Sequence, residues 1–120
     1  MVDYIPDAWV ILRFESEEHG IVYKVLGGWG GGYLSGDGWR LSSGIKRVEL
    51  ALDADNIGKK TYIIHNDSGS RYFCRETCYG LRMSNAWKYD EIKKKLGDAV
   101  TDYQQHNTIW DILDHDWTKL

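Results

Sequence analysis

The first two-thirds of the chain alternate short apolar runs with clusters of Gly, Asn, Asp and Ser, which is the pattern of β-strands joined by turns. Residues 8–14 are rich in β-branched and aromatic side chains, and residues 21–26 form a second run of strand length. The charged stretch 15–20 separates them and reads as a turn. These features predict an antiparallel hairpin at the start of the fold.

Strand character resumes at residues 39–41 and 46–52, on either side of Ser42-Ser43-Gly44. In the longer run Val48, Leu50 and Leu52 alternate with Arg47, Glu49 and Ala51, which predicts one buried face. The turn cluster 53–58 follows it.

Residues 60–65 and 70–75 flank the loop 66–69 and predict a second hairpin. Strand alternation in its last strand places Arg71, Phe73 and Arg75 on one face and Tyr72 and Cys74 on the other.

Beyond Gly80 the apolar period changes from that of a strand to that of a helix. Ser84 is a suitable cap, and Tyr89, Ile92 and Leu96 recur at helical spacing before Gly97. A second helix is predicted over residues 98–106, and residues 108–111 resemble a capping box that opens a short amphipathic turn.

The predicted fold class is therefore α+β. An antiparallel sheet of about five to six strands (residues 8–75) is followed by one to three C-terminal helices that cover one face. Residues 1–120 are expected to form a single domain, with a β-sheet region at 1–80 and a helical region at 84–120.

Composition changes this picture in one respect. The chain has 120 residues, a net charge of −3, 42% hydrophobic and 28% charged residues, which are the values of an ordinary globular domain. No apolar run is long enough to span a bilayer and no secretory signal is recognised, so a cytoplasmic protein is expected. The anomaly is six Trp and eight Tyr, which supply both core volume and stacking faces.

Several familiar site motifs do not fit the chain. The glycine-rich segment 27–38 matches neither dinucleotide nor P-loop spacing. Cys74 and Cys78 lack the ligand number and spacing of structural zinc, and are interpreted as core residues. The acidic end, Asp111 to Asp116, has no EF-hand pattern. We therefore expect no metal, no cofactor and no catalytic set, although His65 with the two cysteines leaves a nucleotide hydrolase as one hypothesis.

The remaining constellation combines arginines with aromatic residues. Guanidinium groups make bidentate contacts with phosphate, aromatic faces stack on bases, and an Asn side chain can pair with an adenine edge. The glycines would allow a backbone or ligand to come close, so the segment is expected to shape a binding site rather than to make its contacts. The candidate ligand-binding residues are Trp29, Tyr33, Trp39, Arg40, Arg71, Tyr72, Arg75, Arg82 and Asn85.

The chain also resembles small proteins encoded by tailed bacteriophages, over roughly residues 6–86. Among characterised phage proteins, the order of sheet and then helices is similar to the first anti-Thoeris family, which sequesters cyclic ADP-ribose isomers and can form oligomers. The resemblance implies stoichiometric capture of a nucleotide, with Arg71, Arg82 and Asn85 as occupants of the binding roles. The matching phrases are Trp9-Val10-Ile11, Gly28-Trp29-Gly30-Gly31-Gly32-Tyr33-Leu34, Gly36-Asp37-Gly38-Trp39, Ser43-Gly44-Ile45, Ser68-Gly69-Ser70-x-Tyr72-x-Cys74 and Tyr79-Gly80.

Together these observations predict a phage counter-defence protein that sequesters a nucleotide-derived immune signal in the host cytoplasm without turnover. The expected partner is a small anionic, nucleotide-like ligand, and a homo-oligomer is a further expectation. An alternative is a protein-binding inhibitor of a host defence or metabolic complex, since Trp is common at interface hot spots. The acidic net charge disfavours nucleic acid as a partner.

Overall fold

Two β-sheets and one helix form three layers in the computed structural model, which describes residues 3–18, 20–30, 38–52 and 60–103. Short 3₁₀ turns lie at Glu76–Cys78 and Gly97–Ala99. The regular elements are β1 (Asp3–Tyr4), β2 (Ala8–Ser16), β3 (Gly20–Trp29), β4 (Gly38–Leu41), β5 (Ile45–Leu52), β6 (Lys60–Asn66), β7 (Arg71–Arg75), α1 (Met83–Leu96) and β8 (Val100–Asp102).

Within the described ranges, each sheet has four strands. The central sheet has the order β4-β3-β2-β8 and is antiparallel throughout. The outer sheet has the order β1-β7-β6-β5 and is antiparallel except for the short parallel pair β1–β7. Both predicted hairpins, β2–β3 and β6–β7, are confirmed. No helix in the described part of the chain is long and apolar enough to cross a membrane.

Strand β2 of the central sheet is buried on both of its faces over residues 8–12. Trp9 and Ile11 of β2 pack against the outer sheet, whereas Val10 and Leu12 join the cluster that contains Ile92 of α1. A strand covered on both sides needs a continuous apolar run rather than an alternating one. This explains why residues 8–12 are apolar without interruption and all fully buried.

The outer sheet has one buried face, and the predicted alternation of β7 is confirmed. Tyr72 and Cys74 are buried in the core between the sheets. Arg71, Phe73 and Arg75 lie on the opposite face, away from the central sheet.

The prediction of one sheet with five to six strands is wrong, because the chain changes sheets at Ser42-Ser43-Gly44. The Ser42 hydroxyl accepts a hydrogen bond from the Val25 backbone N–H at 2.8 Å, while the Ser42 N–H donates to the Val25 carbonyl at 2.9 Å. The Ser42 hydroxyl thus accepts the hydrogen bond that a backbone carbonyl would accept if β4 continued along β3. Beyond it β5 begins the second sheet.

A second correction concerns residues 98–106, where a helix was predicted. The described part, up to residue 103, contains one 3₁₀ turn and then strand β8, which pairs with β2. Val100 is fully buried, and β-branched residues fit such a strand better than a helix. The predicted capping box at 108–111 and the turn cluster at 53–58 lie outside the described residues. Helix α1 is confirmed, but the prediction that Ser84 caps it is wrong, because the helix begins at Met83 and Arg82 is its N-cap residue.

The predicted buried face of β5 is only partly realised. Val48 lies opposite Ile64 and packs against the core, but Leu50, opposite Tyr62, is 40% exposed. The pairing of β5 with β6 places Val48 and Leu50 on the same face of the sheet, as the alternation of apolar and polar residues predicts. Leu50 remains exposed because β5 is the outermost strand of its sheet.

We expect the protein to lose stability in alkali, because burial raises the pKa values of three tyrosines. Burial raises the pKa of Tyr62 to about 12, with a further contribution from Glu76, and burial also raises the pKa values of Tyr72 and Tyr79. In the unfolded chain these phenols ionise near pH 10, so unfolding is favoured as the pH rises from about 10 towards 12. We expect the free energy of unfolding in urea to be constant around pH 7 and to begin to fall above about pH 8.5, because burial raises the pKa of the Cys74 thiol as well. The tyrosines should make the fall steeper above about pH 10. Tyr62→Phe should weaken this dependence; an unchanged dependence would contradict the assignment.

Candidate functional site

A concavity of about 360 Å³ opens beside β1, β4 and β7 and is called here the serine concavity. One wall consists of aromatic and basic side chains, and the other of two loops, between β4 and β5 and between β6 and β7. Its lining residues are Tyr4, Arg40, Leu41, Ser42, Ser43, Ser68, Gly69, Ser70 and Tyr72.

Arg40 is the only charged residue that lines the serine concavity among the described residues. Its guanidinium carbon lies 4.7 Å from the centroid of the Tyr4 ring, and that ring packs on Tyr72 at 4.9 Å. A cation placed over an aromatic face is attracted by the ring quadrupole, which holds the guanidinium in position. Arg40 has no ion-pair partner in the described part of the chain, so its donors are available to an anion.

The serine hydroxyls form a connected network across the two loops. The Ser43 hydroxyl accepts from the Ser68 backbone N–H at 3.0 Å and lies 3.1 Å from the Ser68 hydroxyl. The Ser68 hydroxyl is in turn 3.1 Å from that of Ser70. Because hydroxyl groups both donate and accept, such a chain can turn donors towards an anion or bind a sugar hydroxyl.

One backbone hydrogen bond joins the two loops, and a second closes the turn between β6 and β7. The Asp67 N–H donates to the Gly44 carbonyl at 2.9 Å, and the Gly69 N–H donates to the Asn66 carbonyl at the same distance. Gly69 has φ +91°, a conformation that L side chains rarely adopt. The glycine therefore permits the turn that brings Ser68 and Ser70 to the same rim.

Tyr4 is positioned by two anchors on the N-terminal segment. Arg71 donates two hydrogen bonds of 2.8 Å to the Asp3 carboxylate, and this interaction lowers the pKa of Asp3. The Trp29 indole N–H donates to the Ile5 carbonyl at 2.8 Å, and its ring meets the Tyr4 ring edge-on at 6.1 Å. The short strand β1 is thus fastened on both sides of the tyrosine.

A second concavity, of about 510 Å³, lies where the N-terminal segment, the end of β3, the end of β7 and the start of α1 meet. It is called here the arginine-pair concavity, because Arg75 and Arg82 both line it. The other lining residues are Asp7, Gly30, Cys78, Met83 and Ser84.

The predicted ligand-binding residues are distributed over several places. Arg40 and Tyr72 line the serine concavity, with Trp29 next to its Tyr4, whereas Arg75 and Arg82 line the arginine-pair concavity. The predicted residues therefore do not gather in one site.

Three further candidates have other surroundings, and Tyr33 lies outside the described residues. Arg71 is on the face opposite Tyr72, paired with Asp3 and placed over the Phe73 ring at 5.1 Å. Trp39 is on the surface, 6.1 Å from Trp87 between ring centroids.

Asn85 is completely buried and holds the start of α1. Its side-chain oxygen accepts from the Arg82 N–H at 2.8 Å, and its amide nitrogen donates to the Leu26 and Gly80 carbonyls. All of these contacts are within the fold, which gives the residue a structural role.

Tyr4 and the loop serines were missed by sequence reasoning. Serines in the segments 42–43 and 68–70 read as ordinary turn residues, because Ser favours turns for reasons unrelated to ligands. A usable signal was that both turns carry two serines each, with a glycine. Their proximity follows from the β5–β6–β7 pairing and is not visible in either turn alone.

His65 and Cys74 of the hydrolase hypothesis do not come together. Cys74 is fully buried between the sheets, and burial raises the pKa of its thiol. His65 lies on the opposite face of the outer sheet, next to Glu49 and among Arg47 and Arg71, and burial lowers its pKa. In the described ranges, no three His, Cys, Asp or Glu residues are grouped so that they could hold a metal ion.

The fold and the site define a three-layer α+β domain with an arginine-bearing, hydroxyl-rich concavity at the side of its core. Comparisons with protein-family models, curated proteins and solved structures found no match to this chain.

Proposed function

We propose that this protein binds a small, phosphate-bearing, nucleotide-like molecule in the serine concavity and releases it unchanged. The observation that carries the proposal is the Arg40 guanidinium, fixed over Tyr4 and lacking an ion-pair partner among the described residues. A guanidinium group and hydroxyl donors on facing walls are the combination that binds phosphate oxygens.

The hydroxyl network supports a ligand that carries sugar as well as phosphate. Ser43, Ser68 and Ser70 present three adjacent hydroxyl groups on one rim. Such groups complement ribose hydroxyls, which also donate and accept. A volume of about 360 Å³ falls in the range of small-molecule sites.

Capture without turnover is part of the proposal. The serine concavity contains hydroxyl groups and one guanidinium, but no carboxylate, imidazole or thiol lines it among the described residues. The chemistry present can neutralise and orient a ligand, whereas general acid–base catalysis requires a group that titrates near neutral pH. Joined to the resemblance to tailed-phage proteins, this supports sequestration of a nucleotide immune signal as counter-defence in the host cytoplasm.

Arg40→Gln is expected to weaken binding by tenfold or more, because a charge-assisted hydrogen bond contributes about 1.5–3 kcal/mol. Isothermal titration with ADP-ribose and cyclic ADP-ribose isomers gives the dissociation constant, and mass spectrometry of the recovered ligand tests for turnover. The matched control is Arg47→Gln, the same change on an exposed arginine of the outer sheet. Absence of binding to the whole panel, or equal losses in the two variants, would contradict the proposal.

The alternative of a protein-binding inhibitor has its own structural support. Met83 is 83% exposed and Trp87 49% exposed one helical turn later, and Trp39 of β4 packs against Trp87. Exposed Trp and Met are enriched at protein interfaces. A host partner retained by the wild type and lost by Trp87→Ala, with ligand binding unchanged, would favour this function.

A further inference from the structure

We infer that the arginine-pair concavity is a second, separate binding site for a phosphate group. It is separate because it shares no lining residue with the serine concavity and lies at the junction of different elements. At about 510 Å³ it has room for an organic phosphate as well as for the free ion.

The charge of this concavity is positive. Arg82 has no ion-pair partner in the described part of the chain, and the nearest carboxylate oxygen to Arg75 is that of Asp7, at 3.9 Å. The Asp7 carboxylate is also engaged by the Gly30 N–H at 2.8 Å. Two guanidinium groups against one carboxylate leave a net charge of about +1, which a bound anion would neutralise.

Phosphate fits these groups better than a simple carboxylate does. A guanidinium fork makes two parallel hydrogen bonds, and a phosphate has enough oxygens to serve two forks from different directions. The arginines come from different elements, β7 and the residue before α1, so they approach the concavity from separate sides. Cys78 and Met83 add apolar surface beside them, which suits an organic group attached to the phosphate.

A cysteine in the arginine-pair concavity can be used to measure whether the site is occupied. Cys78 lines the concavity and is partly exposed, whereas Cys74 is fully buried. In the native protein a neutral reagent such as iodoacetamide should therefore alkylate Cys78 selectively. A phosphate bound in the concavity will obstruct the thiol, so the alkylation rate measures occupancy without any assumption about function.

The experiment follows alkylation of Cys78 by mass spectrometry while inorganic phosphate is added, against sodium chloride of the same ionic strength. We expect phosphate to slow alkylation several-fold in the wild type and not in the double variant Arg75→Gln/Arg82→Gln. Arg47→Gln, on the outer sheet, is the matched control and should retain protection. A rate with phosphate equal to that in sodium chloride, or equal protection in the double variant, would overturn the inference.

Further experiments distinguish binding at this site from binding in the serine concavity. They also show whether the phosphate group belongs to an organic molecule or to the free ion. Arg40→Gln should weaken nucleotide binding by tenfold or more but leave the protection of Cys78 intact; if it removes the protection, the second site does not exist as inferred. Phenyl phosphate protecting at lower concentration than inorganic phosphate indicates an organic phosphate, and equal protection indicates the free ion. Should Cys78 resist alkylation, phosphate-dependent shifts of the Gly30 and Ser84 amide resonances provide the measurement, with no shift overturning the inference.

Discussion

Gly28→Ala is expected to destabilise the protein by about 3 kcal/mol, at the upper end of what overpacking usually costs. A Cβ atom at Gly28 would lie 2.3 Å from the Ser84 hydroxyl oxygen and 3.0 Å from the Asn85 Cβ. These atoms belong to the first turn of α1, where Asn85 is buried and hydrogen-bonded to β3. The helix must therefore move away from the central sheet, and urea unfolding would measure the loss.

Two variants make this prediction specific. Gly38→Ala is the matched control, because a Cβ there meets nothing within 4 Å. Ser84→Ala removes the closest clashing atom, so Gly28→Ala should cost less in the Ser84→Ala background than in the wild type. A Gly28→Ala protein as stable as Gly38→Ala would show that α1 does not pack as closely as the structure indicates.

Gly28 also shows what could be predicted from the glycine-rich segment. Its composition disfavours helix and indicates close approach of another element, and residues 27–29, which lie in β3, show both features. The neighbour of Gly28 could not be predicted, because Ser84 is 56 positions further along the chain and comes near only when α1 packs on β3. Local conformation is encoded locally, whereas the packing partner depends on the whole fold.

The number of sheets was missed for a related reason. Alternation and turn residues identified the six strands β2 to β7, since each strand has its own local pattern. Whether two hairpins join one sheet or face each other depends on the corner at Ser42, where a hydroxyl ends the ladder. The uninterrupted apolar run at residues 8–12 was the available signal for a central layer, because the strand of a sheet with one solvent face would alternate apolar and polar residues there.

The candidate site was predictable in residue type and less so in grouping. Arginines line both concavities, whereas the aromatic residues Tyr4 and Tyr72 line the serine concavity. Strand parity separates Arg71 from Tyr72, and this could be read from the sequence. That Arg40 would meet Tyr4 could not, because β4 and β1 belong to different sheets and meet only through the packing of the layers.

Tyr79→Phe is expected to cost about 2 kcal/mol of stability, although it removes a single oxygen atom. The Tyr79 hydroxyl accepts from the Ile11 N–H at 3.1 Å and donates to the Asp102 carboxylate at 2.8 Å. Ile11 lies opposite Val25 of β3, but on its other side β8 pairs with β2 only from Leu12 onwards, so the phenol takes the place of the missing partner on that side. Phenylalanine leaves this N–H without an acceptor inside the protein and removes the donor to the carboxylate.

Tyr89→Phe is the matched control for Tyr79→Phe, since Tyr89 packs against the same apolar cluster without a side-chain hydrogen bond among the described residues. Because burial, with Asp102 adding to it, raises the pKa of Tyr79, the Tyr79→Phe protein should also lose less stability above about pH 10 than the wild type. Urea unfolding at about pH 7 and pH 11 measures both effects. Equal costs for the two substitutions at neutral pH would mean that the hydroxyl does not complete the edge of β2.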